Sequence, residues 1–315
     1  MDGVINLDKP AGISSAAAVA RVKRLLPRGT KIGHAGTLDP FATGVLVVLV
    51  GRATRLAQFL SGAEKEYEAT IRLGYATDTG DLTGAPRAGV GAPDCAALGR
   101  ERIEAALATL RGDIEQVPPM YSAKKVQGRK LYELARRGEE VAREAVRVRV
   151  SEFEIVEGEG GEFLRPNADG TCDVRARVVC SAGTYVRALA ESVGENLSAG
   201  AHLAALRRTR AGDFGLERAL TPEALQKMFE AGAPASDFLI PPEAALPGLP
   251  ARHLTNAEAR RVAHGAAVPA PAPAWEDGAR VLLFDERGAL LAVAVYAAER
   301  GLLHPRVMLA AENKS

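Results

Sequence analysis

Six consecutive apolar residues, Val45-Leu46-Val47-Val48-Leu49-Val50, constrain this chain more than any other feature in it. A run of this length, rich in valine and without a polar face, reads as a strand buried inside a sheet. A membrane span needs about 20 such residues, and no apolar run in the chain approaches that length. Directly before it stands Gly33-His34-Ala35-Gly36-Thr37-Leu38-Asp39-Pro40-Phe41-Ala42-Thr43-Gly44. Glycine opens backbone conformations closed to other residues, and Pro40 restricts Asp39 to extended geometry. A lone carboxylate is thereby held at the mouth of a buried strand. Taken alone, Asp39 reads either as a functional group or as the cap of an Asx-type turn.

Around this feature the pattern is of mixed helices and strands. Ser14 and Ser15 cap a helix over Ala16 to Leu26, stopped by Pro27. Arg52 to Leu60 reads as a short helix, Glu66 to Leu73 as an alternating strand, and Glu101 to Arg111 as an amphipathic helix. After Pro118-Pro119 comes a basic segment with a helix near Lys130 to Arg137. Val146 to Val156 and Cys172 to Cys180 read as strands, Tyr185 to Leu197 as a helix, and Leu203 to Thr209 as another short helix. Thr221 caps a helix with Pro222 at its first position. A proline-rich stretch, Pro241 to Pro250, reads as a linker. Beyond it lie a helix over Asn256 to His264 and strands at Val281 to Phe284, Leu290 to Tyr296 and Val307 to Leu309, which predict a small β-rich domain.

Composition excludes several classes of function. The cysteines are Cys95, Cys172 and Cys180: an odd count with no CxxC pair, which argues against a disulfide framework and against a structural zinc site. The five histidines are scattered, with no HExxH spacing, so no metal is expected. The first ten residues lack an apolar signal region, which points to a cytoplasmic protein. A monomer is the default.

A net charge of +1 argues against nucleic-acid binding until it is divided along the chain. Residues 1–60 carry eight basic and three acidic side chains, and residues 121–150 carry nine and four, whereas residues 151–173 carry one and seven. Two basic blocks hidden in a neutral total are compatible with a local phosphate-binding surface. Two further motifs bear chemistry. Ser181-Ala182-Gly183-Thr184-Tyr185-Val186-Arg187 places an arginine where it can pair with a carboxylate, and Lys65-Glu66-Tyr67-Glu68 places a tyrosine that can pack in a core or stack on a base.

On these residues the chain resembles the TruB family, the tRNA pseudouridine-55 synthases. The resemblance runs in order through Leu7-Asp8-Lys9-Pro10, Gly12-Ile13-Ser14-Ser15, the block from Gly33 to Gly44, Lys65-Glu66-Tyr67, Thr77-Asp78-Thr79-Gly80-Asp81, Pro119-Met120-Tyr121-Ser122-Ala123, Gly183-Thr184-Tyr185-Val186-Arg187, and His202-Leu203-Ala204-Ala205-Leu206-Arg207-Arg208. It covers residues from about 4 to 215 and departs at Ala35 and Ala182.

The resemblance implies an α+β pseudouridine synthase fold, a mixed and largely antiparallel sheet flanked by helices and loops. It implies isomerisation of a uridine in the T arm of tRNA, with no cofactor or metal. Asp39 corresponds to the catalytic carboxylate, Arg187 to its partner, and Tyr67 to a tyrosine that stacks on the uracil. Tyr185 and Leu206 would line the pocket, and His34 would fill the space left by the flipped uridine. Lys9, Pro10, Gly36 and Thr37 would brace the active-site loop. A basic insertion at about 118–148 would clasp the T loop through Lys124, Lys125, Arg129 and Lys130. The implied division is a catalytic domain, 1–248, and a PUA-like RNA-binding domain, 249–315, reaching the acceptor end. No guide RNA, membrane or obligatory protein partner is expected. The competing readings are an RNA-guided relative acting on ribosomal RNA and a tRNA-folding chaperone.

Overall fold

The computed structural model describes residues 1–87, 95–122, 124–126, 128–135, 137–139, 141–271 and 275–309. Its larger sheet contains β1 (Gly3–Lys9), β2 (Ile32–Ala35), β3 (Thr43–Val50), β4 (Lys65–Leu73) and β5 (Gly112–Gln116). A small ribbon, β6 (Lys125–Val126) with β7 (Arg129–Lys130), stands apart from it. The larger sheet continues with β8 (Val146–Ile155), β9 (Arg165–Pro166), β10 (Cys172–Cys180), β11 (Ala201–Ala211) and β12 (Phe214–Gly215). Its main path runs β1-β3-β11-β4-β10-β8-β5, with β3–β11 parallel and the other neighbours antiparallel. The helices are α1 (Ser15–Leu25), α2 (Ala57–Leu60), α3 (Arg100–Ala108), α4 (Leu131–Ala135), α5 (Val186–Leu197), α6 (Pro222–Glu230) and α7 (Asn256–Ala263). The α+β expectation therefore holds.

The local reasons are visible in the sequence. Ser14 caps α1 through a bond from the Ala17 N–H, and Thr221 caps α6 with proline at its first turn. Along β4, Tyr67, Ala69, Ile71 and Leu73 are buried on one face. In β3 both faces are buried: Leu46, Val48 and Val50 enter the main core, while Val45, Val47 and Leu49 enter a second core on the other side. That division explains the unbroken apolar run.

Several expectations need correction. Leu203 to Thr209 lies within β11 and is not a helix. Its leucines and alanines suit a helix, but pairing with β4 on one side and β3 on the other satisfies its backbone in the middle of the sheet. Bulges between Leu203 and Ala205 and between Arg208 and Arg210 break the alternation that would have revealed a strand. Arg52 to Leu60 splits into a 3-10 turn, Gly51–Leu56, followed by the single-turn α2. Cys95 and Cys172, 77 residues apart in sequence, form a disulfide, against the expectation from the cysteine count. Folding of the 3-10 turn Cys95–Ala97 against the start of β10 brings them together, and spacing carries no trace of it. Part of the expected helix near Lys130 to Arg137 lies outside the described residues, as does Ala123 of the Pro119 motif; the described helix is α4.

A second sheet follows the proline-rich stretch, formed by β13 (Ala251–His253), β14 (Val268–Pro269), β15 (Arg280–Phe284), β16 (Leu290–Ala297) and β17 (Leu302–Met308) in the order β13-β15-β16-β17-β14. The proline stretch is packed, with Ala245 and Leu246 buried. The second sheet docks on the first unit through Leu282, Val293, Val307 and Leu309 against Ala53 and Leu56. Arg280 lies 5.0 Å from the Phe59 ring centre, and Arg55 donates to the Met308 carbonyl.

Candidate active site

Strands β4 and β11, the loop between β2 and β3, and the N-terminus of α5 line a cavity of about 230 Å³. Asp39, Tyr67, Tyr185, Arg187 and Leu206 line it together with Gly36 and Thr37. Residues spread over most of the larger unit thus converge on one hollow. Its charged lining is one carboxylate, Asp39, against Lys65, Arg187 and Arg208, which suits an anionic or strongly polarised ligand.

The loop that carries Asp39 is held from the chain's first thirty residues. Ser15 Oγ accepts from the Leu38 N–H at 2.8 Å and donates to the Leu38 carbonyl at 2.9 Å. The Gly12 N–H donates to the Pro40 carbonyl. Lys9 is fully buried, and its Nζ donates to the carbonyls of Pro10, Ile13 and Pro40. Burial pulls the Lys9 ammonium down to about 8, with Asp39 pulling the other way. Lys9 and Pro10 therefore stand at the loop as bracing. Gly36, at φ +91°, rests against Arg208, whose guanidinium donates to the carbonyls of Gly36, Thr37 and Val45.

Asp39 and Arg187 form a two-pronged ion pair: Nε to Oδ2 is 2.9 Å and Nη2 to Oδ1 is 3.3 Å. The arginine is 4% exposed and the aspartate side chain 32%, so one carboxylate edge is locked while part of the group still faces the hollow. The remaining guanidinium donors reach the Thr79 carbonyl at 2.8 Å and the Tyr121 carbonyl at 2.7 Å. Asp81 Oδ2 lies 3.8 Å from Arg187 Nη1. Burial pushes the Asp39 carboxyl above the ordinary Asp value; Arg187 opposes this, and Asp81 reinforces it.

Tyr67 sits opposite Arg208 in the β4–β11 register and is 8% exposed. Burial raises its phenol pKa, so the ring is held neutral. Leu206, on β11, forms an apolar wall. Tyr185 is the residue that begins α5, and both of its backbone polar groups are bound by the Gln116 side chain. Lys65 Nζ donates to the carbonyls of Ser61 and Ala63, and burial lowers its pKa to about 8. His34 does not line the cavity. It lies on β2, two residues before Gly36, and burial with Arg208 nearby lowers its pKa.

The proposed clasp is rooted beside the site. The chain leaves the ladder for the insertion after Gln116 and returns at Val146, and these two pair at the end of β5–β8. Lys124 is half-buried, and Arg129 is exposed 3.8 Å from Glu139. The side chains of Lys125 and Lys130 lie outside the described residues. Among the described residues no group of three or more His, Cys, Asp or Glu is arranged to hold a metal ion. Nor is any helix among them long and apolar enough to cross a membrane.

Sequence reasoning missed the roles of Gln116, Ser15, Lys65, Asp81 and Arg208. All but Gln116 stood inside quoted motifs, so their positions were visible though their contacts were not. Gln116, just before Val117 and the Pro118-Pro119 break, carried no local signal.

The profile for TruB family pseudouridylate synthase (N terminal domain) matches residues 23–186, and that for the tRNA pseudouridylate synthase B C-terminal domain matches residues 187–247. A curated relative, tRNA pseudouridine synthase B of Geobacillus thermodenitrificans, is 44% identical over 306 residues, covering 97% of this chain and 98% of the relative. The protein of the same name from Thermobifida fusca is 45% identical over 303 residues, covering 93% and 94%. Among solved structures, the chain is similar to one in a Cbf5-Nop10-Gar1 complex, with a TM-score of 0.69 at 28% identity, covering 99% of this chain and 86% of that one.

Proposed function

The chain belongs to the TruB family of pseudouridylate synthases, and from that premise we propose that it isomerises uridine-55 in the T arm of tRNA to pseudouridine. The observation that carries this reading is the two-pronged Asp39–Arg187 pair at the floor of a cavity walled by Tyr67, Tyr185 and Leu206. In the reaction the N1–C1′ glycosidic bond breaks, the uracil turns over, and a C5–C1′ bond forms; a proton leaves C5 and N1 gains one. The atoms balance without an oxidant or reductant.

Asp39 is the catalytic carboxylate, and Arg187 aims it and favours its ionised form. Tyr67 stacks on the uracil with its phenol neutral. Tyr185 and Leu206 confine the freed base by apolar contact, which lets it rotate while it stays near C1′. His34 takes up the space of the flipped nucleotide, a place suited to a neutral imidazole. Gly36 and Thr37 shape the loop beside Asp39.

The basic insertion, with Lys124, Lys125, Arg129 and Lys130, clasps the T loop through phosphates, since folded RNA is read largely by shape and backbone. We divide the chain into a catalytic domain, 1–248, and a PUA-like domain, 249–315, that touches the acceptor end. No guide RNA, metal or cofactor enters this scheme.

The test is to incubate the protein alone with an unmodified tRNA transcript and map pseudouridine. Modification at position 55 is expected, with Asp39→Asn inactive. Modification that appears only with an added guide ribonucleoprotein would favour the guided reading. An active Asp39→Asn would remove Asp39 from the mechanism.

A further inference from the structure

We propose that Gln116 is a positioning residue of this site, holding Tyr185 and the start of α5 that carries Arg187; the proposal rests on the pseudouridine synthase reading above. The Tyr185 N–H donates to Gln116 Oε1 at 3.0 Å, and Gln116 Nε2 donates to the Tyr185 carbonyl at 3.3 Å. The two residues are 69 apart in sequence, and Gln116 is 6% exposed. A primary amide offers a donor and an acceptor in one plane, so it can bracket one residue's backbone on both sides.

The position bracketed is a critical one. The first N–H groups of a helix lack intrahelical partners, and Tyr185 begins α5 without a side-chain cap of its own. Gln116 supplies from another strand what the Glu or Gln of a capping box supplies elsewhere, an acceptor for the N–H of the N-cap residue. Tyr185 faces the cavity, and Arg187 follows two residues later. Fixing both backbone groups of Tyr185 restrains the torsions that aim its ring and the guanidinium behind it.

Gln116 also occupies the root of the basic insertion, as the partner of Val146 in the last pair of β5–β8. A third bond reaches the insertion itself, from Arg187 Nη2 of α5 to the carbonyl of Tyr121, beyond the end of β5, at 2.7 Å. The base of the clasp and the catalytic end of α5 are thus sewn together.

A double-mutant cycle tests this. Single-turnover pseudouridine formation on an unmodified tRNA transcript is measured for wild type, Gln116→Ala, Tyr185→Leu and the double variant, alongside tRNA affinity by filter binding. Gln116→Ala is expected to slow the step at least tenfold while tRNA affinity stays within threefold. In the Tyr185→Leu background, which keeps the backbone bonds to Gln116 and Arg187 but lacks the ring, it is expected to cost at least threefold less than in the wild type. A loss that multiplies unchanged in that background would overturn the proposal. Gln116→Glu, which cannot donate as a carboxylate, replaces Gln116→Ala in the cycle if the alanine variant fails to fold.

Hydrogen exchange reads the clamp without activity. Faster exchange is expected in the peptide around residues 183–189 of Gln116→Ala, and unchanged exchange there would overturn the proposal whatever the enzyme does. An inactive wild type with that exchange response would instead overturn only the functional reading.

Discussion

Asp39 is the site of a contest between burial, which raises its carboxyl, and Arg187, which lowers it; burial leads, with Asp81 adding to it. The proposed chemistry needs the ionised form, which is lost as pH falls through a raised pKa. The acid limb of the single-turnover rate should therefore have its midpoint above 3.8, the ordinary Asp value. Arg187→Lys keeps a charge but loses the planar fork, so the limb should move to higher pH and the plateau should fall about 100-fold. A limb at or below 3.8 in the wild type would contradict this account of the pair. At this scale the sequence was informative: Asp39, Tyr67, Tyr185, Arg187 and Leu206 were all named from it, and all line one cavity. Gln116 was not named, because a glutamine declares its purpose only through the backbone it meets.

Strand β11 shows where the local pattern failed. Its apolar spacing is helical and its bulges hide the strand period, so pairing on both sides decided the matter. The same crossing leaves a demanding residue, Gly44, at φ +101° opposite Arg208. A Cβ there would stand 2.2 Å from the Arg208 carbonyl oxygen. Gly44→Ala should destabilise the protein by about 2–5 kcal/mol, combining backbone strain with overlap against a backbone that cannot yield. Denaturant unfolding measures this, and a change below 1 kcal/mol, taken as roughly the scale of an ordinary substitution, would mean the strands separate freely there. The clasp is the other element with a measurable signature. Neutralising Lys124, Lys125, Arg129 and Lys130 together should weaken tRNA binding and flatten the log K against log salt slope by up to about 4. An unchanged slope would remove these residues from the phosphate contacts.

On the scale of the whole molecule, the second sheet shares a core with the 3-10 turn that follows β3, and a disulfide ties β10 to the segment before α3. Cys172 and Cys180 stand at opposite ends of the nine-residue β10, roughly 26 Å apart by strand rise. The far end, with Cys180, is the one that leads into the site. Reduction should therefore leave pseudouridine formation intact while lowering stability by up to about 4.5 kcal/mol, the chain-entropy value for a crosslink of this span. Activity lost on reduction, with the fold retained, would mean that the disulfide end communicates with the cavity. Net charge also resolves at this scale: a near-neutral chain lines its cavity with three cations and one carboxylate.

By itself the sequence determined the buried strand β3, the glycine and proline frame around Asp39, and the capped helices. These depend on local periodicity and on which torsions a residue permits, and both can be read along the chain. Long-range packing makes Leu203 to Thr209 a strand, joins Cys95 to Cys172, and sets Gln116 against Tyr185. Each depends on a partner dozens of residues away, and the order of strands in the sheet, which no local pattern encodes, chooses that partner.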